Sequence, residues 1–139
     1  MMRTILLPLT VAMLIAAGCS DSSDTTEADT PGIRLVSVQA GAGLQADPPE
    51  DLVILDVRTP EEFAEGHLEG AIMIDFYEDD FADQIADLDP DVPYLVYCRS
   101  GNRSGQTAAI MEELGFADVS DVDGGIVSWF DSGLPTVNP

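Results

Sequence analysis

Two short, uninterrupted apolar runs, Leu52-Val53-Ile54-Leu55 and Tyr94-Leu95-Val96-Tyr97, constrain the fold of this chain more than any other feature. A strand with one wet face alternates polar and apolar residues. A strand apolar at every position is buried on both faces, as in a parallel sheet covered by helices on each side. Helical signals lie between the runs. Thr59-Pro60-Glu61-Glu62 reads as a helix start, with Thr59 as N-cap, Pro60 in the first position, acids in the first turn, and Glu62 completing a capping box. Gly66 ends that short helix.

The rest of the chain repeats the alternation. Residues 33–36 form a β-rich run, and Ser37 caps a weak helix reaching Ala46, weakened by Gly41 and Gly43 and broken by Asp47-Pro48-Pro49. Residues 71–74 read as a strand. Residues 79–88 read as a helix with Phe81, Ile85 and Leu88 on one face, stopped by Asp89-Pro90. The clearest helix spans residues 104–114, with Thr107, Ala108, Ile110, Met111 and Leu114 as its buried stripe and Gly115 as its stop. Residues 119–122 make a last strand, Gly124-Gly125 a turn, and residues 126–130 a terminal helix in which Trp129 and Phe130 are expected in the core. Strands alternating with helices predict one α/β domain, residues 33–139, around a mainly parallel sheet.

Residues 1–32 read differently. Arg3 precedes an apolar stretch, residues 5–17, that is too short to span a bilayer, which takes ~20 apolar residues. Small residues follow, as at a secretory cleavage site. Ile15-Ala16-Ala17-Gly18-Cys19 resembles the lipobox of bacterial lipoproteins, which implies a signal peptide over residues 1–18 and a lipidated Cys19 as membrane anchor. Residues 19–32, rich in Ser, Asp, Thr and Glu, read as a flexible tether. The expected location is outside the cytoplasm, with Ser20 favouring the periplasmic face of the outer membrane in a diderm. In a monoderm it would be the outer face of the cytoplasmic membrane.

Charge narrows the partners. The chain has 26 Asp and Glu, five basic residues that are all arginine, and a formal net charge of −21. Nucleic acid is a poor partner for such a surface, because binding it rests on neutralising phosphates. Three of the arginines, Arg58, Arg99 and Arg103, lie in or near the segment Tyr97-Cys98-Arg99-Ser100-Gly101-Asn102-Arg103-Ser104. Positive charge beside a cysteine favours the nucleophilic thiolate. With Cys19 carrying lipid, Cys98 has no intramolecular partner and is flagged as reactive. A strand ending at Cys98, followed by a short loop and a helix, aims unsatisfied backbone N–H groups at the loop. Gly101 lets the backbone curl and Asn102 tolerates a left-handed conformation. The candidate site is therefore Cys98 as nucleophile, in a small anion-binding loop of Arg99, Ser100, Gly101, Asn102 and Arg103. The reading requires a sulfur that solvent can reach.

These motifs, in the order Asp56-Val57-Arg58-Thr59-Pro60-Glu61-Glu62-Phe63, Gly66-His67-Leu68-Glu69-Gly70-Ala71, the cysteine segment, then Asp123-Gly124-Gly125 with Trp129, Gly133 and Pro135, resemble a single-domain rhodanese. The resemblance implies a five-stranded parallel sheet flanked by helices. It also implies sulfurtransferase chemistry. Cys98 would take the outer sulfur of a small anionic donor such as thiosulfate, become a persulfide, and pass that sulfur to a thiol or to cyanide. No metal or organic cofactor is implied. A noncatalytic sulfur carrier would share the same cysteine, and a thiol-reductase role lacks a resolving cysteine. A phosphatase- or arsenate-reductase-like enzyme on the same scaffold is the remaining alternative, but such phosphatases place five residues between cysteine and arginine, whereas four separate Cys98 from Arg103. Arg58 has two readings, donor binding or an ion pair that fixes its loop. His67, the only histidine, reads as packing or hydrogen bonding rather than as a base, and Gly124-Gly125 as a close approach to the cysteine loop.

Overall fold

A computed structural model describes residues 31–139. The expected signal peptide, the lipidated Cys19 and almost all of the tether lie outside the described residues. Ten elements alternate along the chain: β1 (Ile33–Val36), α1 (Val38–Ala46), β2 (Val53–Asp56), α2 (Pro60–Ala64), β3 (Ile72–Met73), α3 (Phe81–Ala86), β4 (Pro93–Tyr97), α4 (Asn102–Glu113), β5 (Asp118–Val122) and α5 (Gly125–Asp131). The strands form one sheet in the order β1-β5-β4-β2-β3. Every strand pair in it is parallel.

The apolar runs explain themselves in this sheet. β4 lies between β5 and β2, with Leu55 opposite Val96 and Val96 opposite Asp121. Successive side chains of a strand point to opposite faces. Tyr94, Val96 and Cys98 accordingly join Leu55, Val57 and Val119 in a core against Ala108 and Met111 of α4 and Phe81 and Ile85 of α3. Leu95 and Tyr97 join Ile54 and Val122 in the other core, against Val38 of α1 and Ile126 and Trp129 of α5. Both faces are dry, so neither run has room for a polar alternation.

Local chemistry sets the element ends. Ser37 Oγ accepts the N–H of Ala40 at the start of α1. Thr59 and Glu62 form the complete capping box of α2, each side chain accepting the other residue's backbone N–H. His67 packs its ring on Phe63 at 3.6 Å between centroids, with Nδ1 3.0 Å from the Phe63 carbonyl. Its backbone pairs antiparallel with Val137, tying down the chain after α5. Trp129 is buried and its indole N–H donates to the Pro135 carbonyl.

Five expectations need correction. α3 and β3 are shorter than the sequence patterns suggest, with only Phe81 and Ile85 of α3 buried. α4 starts two residues earlier, because Gly101 in the left-handed region (φ +99°) supplies the entry turn. Leu114 sits at the C-terminal cap of α4 and is 44% exposed rather than in the stripe. Phe130 is 49% exposed, because α5 turns Trp129 and Ile126 inward and leaves Phe130 on the outer rim.

Candidate active site

The sheet delivers Cys98 to the C-terminal edge of its central strand, where ligand crevices of open α/β sheets form. Only Arg99, Ser100 and Gly101 separate Cys98 from α4. The N–H of Gly101 points back at Sγ of Cys98 at 3.1 Å. The loop is held from behind by α5: the N–H of Ile126 donates to the Cys98 carbonyl at 2.9 Å and that of Val127 to the Arg99 carbonyl at 3.1 Å. In a trans peptide the N–H lies opposite the C=O, so the N–H groups of Arg99 and Ser100 face away from α5. The first turn of α4 adds further N–H groups that have no acceptor within the helix.

This docking of backbone on backbone demands glycine at 125. A Cβ there would lie 2.5 Å from the Cys98 carbonyl oxygen and 2.6 Å from the Arg99 carbonyl, and φ is +59°. The close approach read from Gly124-Gly125 is thus a direct contact with the cysteine loop.

The arginines are used unequally. Arg103 is clamped by Glu62, with Nη1 2.7 Å from Oε2 and Nη2 2.9 Å from Oε1, and its guanidinium lies 5.5 Å from the Tyr77 ring centroid. The Arg103 hydrogen bonds hold the Glu62 carboxyl at about 2, against desolvation that opposes them. Arg58 is buried, gives Nε and Nη2 to Asp56 at 2.7–3.0 Å, and donates from Nη2 to the Gly66 carbonyl. Burial acts to lower its pKa, and Asp56 with Tyr97 and Glu62 outweighs that, so the net direction is up. Burial instead raises the Tyr97 hydroxyl, which accepts the Leu68 N–H. Arg34 pairs with Asp118 at 2.6 Å, far from the loop in sequence. Arg99 is exposed and is the one arginine without a carboxylate partner among the described residues.

The predicted site residues therefore divide. Cys98, Arg99, Ser100 and Gly101 come together as expected in a single tight turn. Of the two readings of Arg58, the ion pair with Asp56 two residues away is present, and Arg58 also borders the cleft beside the cysteine loop. Arg103, expected as a charge beside the sulfur, has both amino groups on Glu62, and its charge is also coupled to Cys98. Asn102 turns its side chain outward, where Oδ1 accepts from Gln106 at 2.8 Å. Cys98 itself is 1% exposed. The requirement of a reachable sulfur is not met at rest, because the side chain belongs to the core beneath the exposed Arg99 and Ser100.

Glu62 is the residue that sequence reasoning missed. The capping-box pattern had already explained it, and nothing local relates positions 41 residues apart. A cleft of about 160 Å³ opens beside the loop, bounded by Arg99, Arg58, Glu62, Glu65, Val127 and Phe130.

Comparison with known proteins agrees with this geometry. Residues 39–132 match the rhodanese-like domain. The thiosulfate sulfurtransferase GlpE of Pseudomonas putida is 44% identical over 80 residues, covering 58% of this chain and 71% of that protein. A sulfurtransferase of Allochromatium vinosum is 34% identical over 90 residues, covering 65% and 82%. Among solved structures, a rhodanese-related protein from Thermoplasma volcanium superposes with a TM-score of 0.67 at 29% identity, covering 76% of this chain and 99% of that one. A single all-parallel domain with a cysteine cradled at the end of β4 and matched across most of its length settles the classification: the chain belongs to the rhodanese-like family.

Proposed function

We propose that the domain is a sulfurtransferase that moves a sulfane sulfur from an anionic donor such as thiosulfate through a persulfide on Cys98. The Cys98 thiolate attacks the outer sulfur, the donor S–S bond breaks, and sulfite leaves with the bonding pair. A thiol or cyanide then attacks the outer sulfur of the persulfide and releases Cys98 as thiolate. The observation that carries this reading is the Gly101 N–H on Sγ at 3.1 Å, at the N-terminus of a twelve-residue helix. That arrangement favours a negative sulfur. Arg99, exposed and without a carboxylate partner among the described residues, supplies the charge that attracts the donor. The names of the relatives support sulfur transfer, and the GlpE relatives support thiosulfate as donor.

The clamp on Arg103 argues against phosphate chemistry. An arginine that would grip a phosphoryl group has both amino groups on Glu62. A second reading, a domain that carries or senses sulfur without turnover, is favoured by the burial of Cys98. Mass spectrometry after incubation with thiosulfate, followed by steady-state assay with cyanide, decides between them. The enzyme gains one sulfur atom on Cys98 and turns over repeatedly, and Cys98→Ala does neither. Loading without turnover leaves the carrier, and no loading removes both.

The proposed setting is extracytoplasmic, with Cys19 acylated and the domain tethered to a membrane. The lipobox-like sequence supports it. Cys19→Ala should shift the protein from the membrane to the soluble fraction, and unchanged fractionation overturns the anchor.

A further inference from the structure

Behind the cysteine loop lie two buried polar groups that the sulfur chemistry above does not use. Asp121 is 5% exposed and Ser104 is fully buried. Oδ1 of Asp121 has no close hydrogen-bond partner among the described residues, a costly arrangement in a core, and the Ser104 hydroxyl is the side-chain donor that acts on its carboxyl. Both sit against the first turn of α4. Ser104 belongs to that turn, and a Cβ placed on the next residue, Gly105, would lie 3.6 Å from Oδ2 of Asp121.

Strand register brings this carboxyl close to the sulfur. Asp121 pairs with Val96, and Cys98 lies two residues further along. Strand spacings put the two Cα atoms about 8 Å apart. Asp121 shares a face with Val119, two residues before it, and Val119 lies in the same core cluster as Cys98. Around the carboxyl, α4 contributes the Ser104 hydroxyl, and its Arg103 is held by Glu62. Asp123 lies just after β5, and β4 contributes the apolar Val96 at the paired position, whereas Arg34, opposite Ser120, pairs with Asp118 on the other face of the sheet.

We propose that Asp121 is a positioning residue that sets the reactivity of Cys98: its carboxylate competes with the sulfur for the N-terminal field of α4, and proton uptake by Asp121 leaves that field to the sulfur. The first turn of a helix favours one nearby negative charge. Two anions sharing it repel across a poorly solvated gap. Burial, with Asp123 adding to it and Ser104 opposing, pushes the Asp121 carboxyl up to about 6. Its charge then changes between mildly acidic and neutral media. The consequence for turnover rests on the sulfur-transfer reading; the effect on sulfur reactivity does not.

The test compares the full chain with Asp121→Asn, which keeps the shape and removes the charge. The rate of Cys98 alkylation by iodoacetamide, read by mass spectrometry of the Cys98 peptide, is followed against pH without any donor. The expected profiles coincide well below pH 6 and separate above it, with the variant reacting roughly 3- to 10-fold faster near pH 8. Superimposable profiles, a slower folded variant, or no alkylation of Cys98 in either protein overturn the proposal. Asp121→Ser provides a second charge-free side chain if the Asn variant does not fold. Thiosulfate loading measured in parallel keeps the failures apart: a wild type that does not load removes the sulfur-transfer reading while leaving the alkylation contrast standing.

Discussion

Glu62 and Arg103 meet in a two-pronged ion pair, 2.7 and 2.9 Å, across 41 residues of sequence. The same carboxylate accepts the Thr59 N–H through Oε2 at 3.1 Å. One side chain therefore closes the N-terminus of α2 and pins the first turn of α4 beside the cysteine loop. Arg99 is the arginine without a carboxylate partner among the described residues.

Replacing Glu62 by Gln should cost about 1–2 kcal/mol, from a weakened cap and a broken, partly screened ion pair. The sign with pH follows from the lowered Glu62 pKa. Its contribution is fully present above the ordinary value of 4.5 and is lost as pH falls toward about 2. Denaturant titrations should show wild type and Glu62→Gln converging over that window and separated by a constant gap above it.

Gly125→Ala should destabilise the domain by about 1–3 kcal/mol, because the new methyl overlaps the Cys98 and Arg99 carbonyls. It should also impair sulfur loading out of proportion, since the loop is displaced where Sγ is held. Melting temperature and persulfide yield, measured on the same sample, check this. A variant with normal loading would show that the α5 contact is dispensable.

Arg99→Ala should leave the melting temperature unchanged, as the side chain makes no ion pair among the described residues. The KM for thiosulfate should rise by about 10-fold, corresponding to one charge-assisted hydrogen bond. The effect should shrink as salt is added. By contrast, Arg103→Ala should lower stability, because it leaves Glu62 unpaired.

Asp121→Asn should stabilise the protein above pH 6 by about 2 kcal/mol. Burial raises this carboxyl from 3.8 to about 6. The wild type is therefore most favoured below its unfolded value of 3.8 and loses stability as pH rises through 6. Chemical unfolding of both proteins from pH 4 to 8 should show that gap opening with pH, and a constant difference would contradict it.

Much of this structure is legible in the sequence. The two apolar runs could be satisfied only between two helical layers, and β2 and β4 occupy those positions. Thr59, Pro60 and Glu62 announced α2, because a helix start is written in adjacent residues. The weaker readings failed where burial overrides pattern. Phe130 and Leu114 carry the right apolarity but fall on the outer side of their helices. Periodicity names a stripe without fixing which edge of it touches the sheet.

The sequence by itself determined the alternating α/β order, the cysteine at a strand end, and the glycines that let the chain turn there, because each depends on contacts between near neighbours. Only the tertiary structure decided which carboxylates the arginines meet. The partners of Arg103 and Arg58 are chosen by how α2, α4 and the loop after β2 pack. It likewise decided that Cys98 lies under its loop and that Asp121 lies behind it. Parallel strand register brings together residues far apart in sequence, and electrostatics acts through space.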